Sequence, residues 1–282
     1  MTGRDLLRAA ARELASARVP DPDYDAGLLM ERVTGEPALK IRGGMTADLT
    51  ADQEEAFRKM LRRRKSREPL QYILGDTVFL GTLFRVGPGT LIPRPETEMI
   101  AEEAIRWLRS RARPDLAVLD LCCGSGCLGI SVKQNVPTAA VTMTDLSGEA
   151  LTIARENAER LRADCEILQG DLFAPVSGRT FDLILSNPPY IPAAELNSLQ
   201  EEVRREPRMA LDGGGDGLDY YRRIALEAPQ HLRTPGYLIL EIGYGEGDAV
   251  KTLLRAGGAA RVHTEKDFSG IPRMVCGIYA EE

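Results

Sequence analysis

From Leu116 onward, short apolar runs alternate with helix-patterned segments, and this alternation narrows the fold more than any other feature of the chain. The runs cover residues 116–121, 139–144, 166–169, 181–185, 237–242, 260–263 and 275–279. Strands separated by helices pair in parallel, because a parallel partner can be reached only through a long crossover. Right-handed crossovers then place helices on both faces of the sheet. The pattern therefore predicts an α/β domain with a mostly parallel sheet. Ligands of such sheets lie beyond the C-terminal ends of the strands, so the residues that follow each run are the candidates for function.

The fourth run ends in Ser186-Asn187-Pro188-Pro189-Tyr190. Two prolines forbid continuation of a strand, so the chain must break sharply there. Proline brings no N–H, which leaves the carbonyls of Asn187 and Pro188 as fixed acceptors beside the Asn187 side-chain oxygen. Acceptors held rigidly side by side suit a planar NH2 group, and Tyr190 can lie against the flat face of that group. The tetrapeptide reads as a clamp for an amide or for an exocyclic amine. A plain strand-ending turn would use the same prolines, and the rest of the chain decides between the two readings.

Three earlier strand ends point to a nucleotide-like cofactor. The first carries Cys122-Cys123-Gly124-Ser125-Gly126, where the glycines permit a tight turn and close approach to a ligand at a helix N-terminus. The second ends at Asp145, roughly twenty residues further on, where an acid accepts from ribose hydroxyls. The third ends at Asp171-Leu172, an acid and an apolar side chain suited to an adenine amino group and ring. Helix capping or a turn explains either aspartate singly; the three together favour binding. No Walker lysine follows the glycines, so phosphate cradling has no support.

The chain before this domain reads differently. Three helices are expected over residues 5–18, 22–34 and 50–67, the last opened by a capping box at Thr50 and Gln53. Ala56, Phe57, Met60 and Leu61 would face inwards. Arg58, Lys59, Arg62, Arg63, Arg64, Lys65 and Arg67 would form an outer basic face, either solvated or docking an acidic or RNA-associated partner. Residues 77–86 read as a hairpin turning at Gly81-Thr82. The expected organisation is a helical substrate-docking domain over 1–72, a hairpin linker over 73–90 and a cofactor-binding catalytic domain over 91–282.

Composition sets outer bounds. The net charge of −6 is uneven, +2 over residues 1–90 and −8 over residues 91–282, which disfavours a broad grip on nucleic acid phosphates, so no stable nucleic-acid complex is expected. No signal-peptide core and no long uncharged apolar stretch stands in the sequence, which reads as a cytoplasmic, non-membrane protein and, by default, a monomer. Five cysteines, three of them at residues 122, 123 and 127, suggest buried thiols rather than a disulfide framework or a metal site.

The glycine loop, the two acidic strand ends and the Asn-Pro-Pro-Tyr clamp, in that order, resemble class I S-adenosylmethionine-dependent methyltransferases acting on amino groups. Further stretches narrow the likeness: residues 69–75, 91–98, 187–191, 211–214, 241–243 and 266–273 resemble the bacterial release-factor glutamine N5-methyltransferases, the PrmC/HemK family. The resemblance implies a Rossmann-like sheet of seven strands, mostly parallel with the last antiparallel. It implies S-adenosylmethionine, bound by Cys122, Cys123, Gly124, Ser125, Gly126, Asp145, Asp171, Leu172 and Asn187, and no metal. The implied acceptor is the glutamine of the Gly-Gly-Gln loop of class I peptide chain release factors. Asn187, Pro188, Pro189 and Tyr190 would do the chemistry, with Arg94 beside them touching cofactor or substrate. Cys122 departs from the family pattern, which has glycine there. A ribosomal-protein glutamine, the N6 of adenine in nucleic acid, and a scaffold that binds cofactor without turnover are the competing readings.

Overall fold

The protein is described from a computed structural model covering residues 2–44, 48–111 and 113–280. It divides into two units, one of residues up to Asp76 together with Gln200–Arg205, the other of Thr77–Leu199 with 206–282.

The smaller unit holds α1 (Gly3–Ser16), α2 (Pro22–Thr34), α3 (Ala38–Arg42), α4 (Ala51–Lys65) and α5 (Leu70–Leu74). Its ends are written in the sequence. Thr50 and Gln53 form the reciprocal capping box of α4, and α2 starts on Pro22 and stops at Gly35 with φ +71°. Leu6, Leu7, Ala10 and Leu14 of α1 and Phe57 and Leu61 of α4 meet in one apolar core. The two five-residue helices are too short for periodicity to reveal.

The basic face of α4 is not continuous. Arg64 follows Phe57 and Leu61 at helical spacing, so it lies on the buried stripe and is only 4% exposed. Its Nε donates to Asp25 at 2.6 Å and its Nη2 to Glu202 at 2.8 Å, while Arg67 donates to both Glu202 oxygens. Ala56, expected inside, is exposed. Burial pushes the Glu202 carboxyl up, but hydrogen bonds from Arg67 and Arg64 outweigh it and hold the group at about 2. Truncating one partner of a buried ion pair leaves the others uncompensated, so Arg64→Ala is expected to cost ~3–5 kcal/mol of stability. The exposed Arg58–Glu54 pair sets the contrast, and Arg58→Ala should cost less than ~1 kcal/mol. Urea titration of the two variants measures the difference.

The larger unit opens with a hairpin, β1 (Asp76–Phe79) and β2 (Thr82–Arg85). The turn sits at Leu80-Gly81, one residue earlier than expected, because a two-residue hairpin turn takes positive φ at both central residues, and these have φ +47° and +71°. Phe79 and Phe84 meet edge to face at 6.0 Å and are buried in the core beneath the sheet's helices. The hairpin is therefore a built part of this unit rather than a bare connector.

Then follow α6 (Glu98–Arg109), β3 (Ala117–Leu121), α7 (Cys127–Asn135), β4 (Ala140–Asp145), α8 (Gly148–Arg160), β5 (Cys165–Gln169), β6 (Phe181–Ser186), α9 (Asp219–His231), β7 (Leu232–Glu241), α10 (Gly247–Ala256), β8 (Arg261–Lys266) and β9 (Pro272–Tyr279). Seven of the strands form one sheet in the order β5-β4-β3-β6-β7-β9-β8. Only β9 runs against its neighbours. Alternation along each strand divides two cores. Val118, Leu183, Leu185 and Ile239 point to the face covered by α6, α7 and α8, and Leu119, Ile184, Leu238 and Leu240 to the face covered by α9 and α10. Gly129 lets α7 settle onto the sheet, since a Cβ there would come within 2.6 Å of the Met143 sulfur. Strand β7 starts five residues before the run at 237. Leu232 already pairs with Phe181, and regular pairing resumes at Tyr237, so the segment containing Pro235 lies out of register.

The chain lays β4 and β5 on one side of β3 and then crosses to β6 on the other. The C-terminal ends of β3 and β6 thus flank the point where the strand order reverses, which is where an open sheet leaves a crevice.

Candidate active site

A cavity of about 900 Å³, counting its open mouth, occupies that crevice. It is lined by Cys122, Cys123, Gly124 and Ser125 after β3, Asp145 after β4, Asp171 and Leu172 after β5, and Asn187 and Pro189 after β6. Nine of the residues singled out from the sequence are therefore brought to one space. Gly126, Pro188, Tyr190 and Arg94 are not on its wall.

The glycine loop folds as it does because two strand ends hold it. Cys123 N donates to the Thr144 carbonyl at 3.0 Å, and Gly124 N donates to Asp145 Oδ2 at 2.9 Å. Asp145 Oδ1 accepts from Ser147 N at 2.8 Å. Burial raises the Asp145 carboxyl, and the N–H groups of Ser147, Gly124 and Leu146 pull it back. Gly124 has φ +54° with nothing within 4 Å of an added Cβ, so the loop leaves open cavity at that point. Gly126, with φ +80°, is the turn into α7, where a Cβ would press on Ile130. Cys122 itself has φ +58°, the left-handed conformation that makes glycine the easier residue here. Its side chain packs against the apolar core rather than into a disulfide. Burial pushes the thiols of Cys122, Cys123 and Cys127 up, so they remain protonated, and no group of three or more potential metal ligands occurs among the described residues.

Asp120, one strand position before the loop, is fully buried, and its Oδ2 accepts from Gly129 N at 2.9 Å. Burial lifts its pKa from 3.8 to about 8, with Gly129 opposing and Asp145 assisting. The folded protein therefore holds a proton that the unfolded chain releases. This contribution to stability is whole below about pH 4 and is lost as pH rises towards 8. Asp120→Asn keeps an acceptor for Gly129 and removes the titration. The stability of the variant relative to the parent should rise by about 1.4 kcal/mol per pH unit across that window, which thermal unfolding at stepped pH would measure.

At the β6 end, Asn187 Nδ2 donates to Thr97 Oγ1 at 3.4 Å, so its Oδ1 is the end left for a ligand. Past Tyr190 the chain pairs with a returning segment: Ile191 N donates to the Leu211 carbonyl, and Gly213 N to the Ile191 carbonyl. A Cβ on Gly213 would lie 2.7 Å from the Tyr190 backbone, one on Gly217 2.5 Å from the Tyr190 carbonyl, and one on Gly243 3.0 Å from the Tyr190 ring. The glycines at 213 and 243 thus fit closely around the clamp. Tyr190 turns its hydroxyl to Glu241 Oε1 at 3.4 Å, and burial and that carboxylate raise its pKa.

Arg94 is paired with Glu206. It donates to Glu206 Oε1 at 2.5 Å, and Glu206 Oε2 accepts from Ile92 N, so the pair anchors the extended segment ahead of α6. Asp171 is engaged by Arg223 at 2.8 Å. Thr97, Leu146, Ser147 and Tyr220 also line the cavity and were not singled out from sequence. Thr97 stands in the 91–98 stretch and could have been found there. Tyr220 reaches the cavity from the start of α9, and nothing local signals it.

Comparison with known proteins decides the family. Residues 5–75 match the PrmC N-terminal domain and residues 105–218 the Methyltransferase small domain. The release factor glutamine methyltransferase of Geobacter sulfurreducens is 42% identical over 98% of this chain and 96% of its own length. The chain belongs to the release factor glutamine methyltransferases. The enzyme of the same name from Cereibacter sphaeroides is also 42% identical, over 98% of both chains. Solved structures support the methyltransferase fold of the larger unit. A methyltransferase from Pyrococcus furiosus aligns with TM-score 0.54 at 19% identity, covering 72% of this chain and 91% of that one. A T. thermophilus 16S rRNA N2 G1207 methyltransferase solved with AdoMet and guanosine gives TM-score 0.54 at 17% identity, covering 72% and 49%. Among the described residues of this methyltransferase, no helix is long and apolar enough to cross a membrane.

Proposed function

We propose that this methyltransferase transfers a methyl group from S-adenosylmethionine to the side-chain nitrogen, N5, of the glutamine in the Gly-Gly-Gln loop of class I peptide chain release factors. The modification would support translation termination. The observation that carries this reading is Asn187: it stands at the end of β6, on the wall of the cavity that Asp145 and the glycine loop also line, with its oxygen free for an amide.

The residues fit the cofactor. Asp145 offers a carboxylate to a ribose diol, Gly124 leaves room for close approach, and Leu172 and Tyr220 give apolar surface for an adenine ring. S-adenosylmethionine supplies an electrophilic methyl group. An amide nitrogen is a weak nucleophile because its lone pair is delocalised into the carbonyl. Asn187 Oδ1 and the Pro188 carbonyl would accept its two hydrogens and hold the nitrogen in line. Tyr190 would brace the clamp. The rate then comes from alignment and fixed dipoles rather than from a strong base. The nitrogen gains the methyl group and releases one hydrogen as a proton to solvent.

The acceptor works on the ribosome, so we place the reaction in the cytoplasm. The helical unit of residues 1–72 would dock the release factor. Competition tests the acceptor: labelled donor is offered with release factor, ribosomal protein and adenine-containing duplex together. Label confined to the release factor is expected; label in either of the others would overturn the reading.

A further inference from the structure

Part of the cavity wall is made of two segments that lie in no sheet. Leu91 and Pro93 come from the extended stretch ahead of α6, and Pro207, Met209 and Ala210 from the returning chain ahead of α9. Both segments run to the clamp. Thr97, just past the first, accepts from Asn187 Nδ2, and the Leu211 carbonyl, just past the second, accepts from Ile191 N beside Tyr190. Segments so placed would flank the acceptor amide. With no strand ladder to set their spacing, side chains must set it.

Glu206 does so. It is 5% exposed and stands immediately before Pro207. Its Oε2 accepts from Ile92 N at 2.9 Å and its Oε1 from Arg94 Nη2 at 2.5 Å. One carboxylate therefore grips the first segment while its own backbone begins the second. Ile92 is buried, and a buried N–H outside regular structure is costly unless paired. The Arg94 guanidinium offsets the charge that this pairing buries. The chain from Glu206 to Leu211 has little slack, because Pro207 fixes one φ and Arg208–Ala210 form a single turn of 3-10 helix. Fastening both ends thus fixes where Met209 stands. Met209 lines the cavity and is still 45% exposed, so it extends from the wall to the mouth.

We propose that Glu206 is a positioning residue and Met209 a specificity-determining residue for the acceptor protein: Glu206 ties the two segments into one wall, and that wall presents Met209 to the backbone beside the acceptor glutamine. An unbranched thioether at the mouth adapts to an irregular loop and gains by being covered. Leucine, proline, methionine and alanine side chains bring no hydrogen-bonding N–H or O–H to this wall. It therefore suits a neutral amide stem better than a charged one and leaves the polar contacts to the clamp. The inference rests on the proposed acceptor and adds the residues that would select it.

The test uses three variants of the full chain. Met209→Ala, at the exposed mouth, should raise KM for release factor about fivefold or more and leave kcat within about threefold. Glu206→Leu should lower kcat/KM for release factor about 10–100-fold, because the wall loses its register. Glu206→Gln, which keeps an acceptor for Ile92 N and loses the charge facing Arg94, should fall between leucine and the parent. Affinity for S-adenosylhomocysteine should stay within about threefold in all three, whereas a merely structural role would lower it in step with the rate. Two readouts need no turnover: hydrogen exchange at the Ile92 amide, and the carbon-13 signal of the Met209 methyl group. Glu206→Leu should speed the first and shift the second, and Glu206→Gln should leave Ile92 protected. Parent-like kinetics in Met209→Ala or in Glu206→Leu, or equal losses of rate and cofactor affinity, would overturn the proposal. If the parent itself fails to methylate release factor, the acceptor assignment falls; the tie then stands or falls on whether Ile92 and Met209 respond to leucine.

Discussion

Replacing Asn187 with alanine is expected to lower kcat for release-factor methylation by roughly 10²–10³-fold, the usual cost of removing one fixed polar group from a site that works by preorganised hydrogen bonding. The size follows from the task. The acceptor amide has no reactive lone pair until its two hydrogens are held and its nitrogen is aimed, and in the proposed clamp Asn187 Oδ1, at the end of β6, would hold one of them. The proposed donor site lies mainly on the β3, β4 and β5 loops, so affinity for S-adenosylmethionine should change by no more than a few-fold. A single-turnover measurement at saturating donor, with calorimetric titration of the cofactor beside it, separates the two quantities. Equal losses of rate and of cofactor affinity would place Asn187 in the donor site instead of the clamp.

Asp145→Ala should produce the opposite pattern. Its carboxylate does two jobs: it accepts from Gly124 N and Ser147 N, which fixes the glycine loop, and it faces the cavity where a ribose would lie. Hydrogen bonds to a charged group are worth about 1.5–3 kcal/mol each. Losing a pair of ribose contacts therefore predicts cofactor affinity lower by about 10²-fold or more. Asp145→Asn should recover part of this, because an amide oxygen can still accept from Gly124 N. Calorimetry with S-adenosylhomocysteine, which presents the same ribose, reads the effect without turnover. An unchanged dissociation constant in the alanine variant would remove Asp145 from the cofactor site.

Much of this arrangement is legible in the sequence because it depends on local chemistry. Strand–helix alternation gives the parallel sheet, the capping box gives the start of α4, and two prolines after an apolar run place the clamp at a strand end. What is not legible is supplied by residues far away in the chain. Arg64 reads as one more charge on a basic helix until Glu202, well over a hundred residues later, returns beside it. Arg94 stands among prolines and acids in sequence, but the carboxylate that binds it, Glu206, comes more than a hundred residues later. The glycines at 213 and 243 show no local reason for being glycine; the reason is the backbone and ring of Tyr190 packed against them. Tyr220 reaches the cavity through tertiary packing alone.

The most direct measurement is transfer of a labelled methyl group from S-adenosylmethionine to intact release factor, run beside the same factor with the glutamine of its Gly-Gly-Gln loop replaced by alanine. Label in the first and none in the second is the predicted result. Equal label in both would show that the acceptor lies elsewhere, and no label in either, with cofactor bound, would contradict the release factor as substrate.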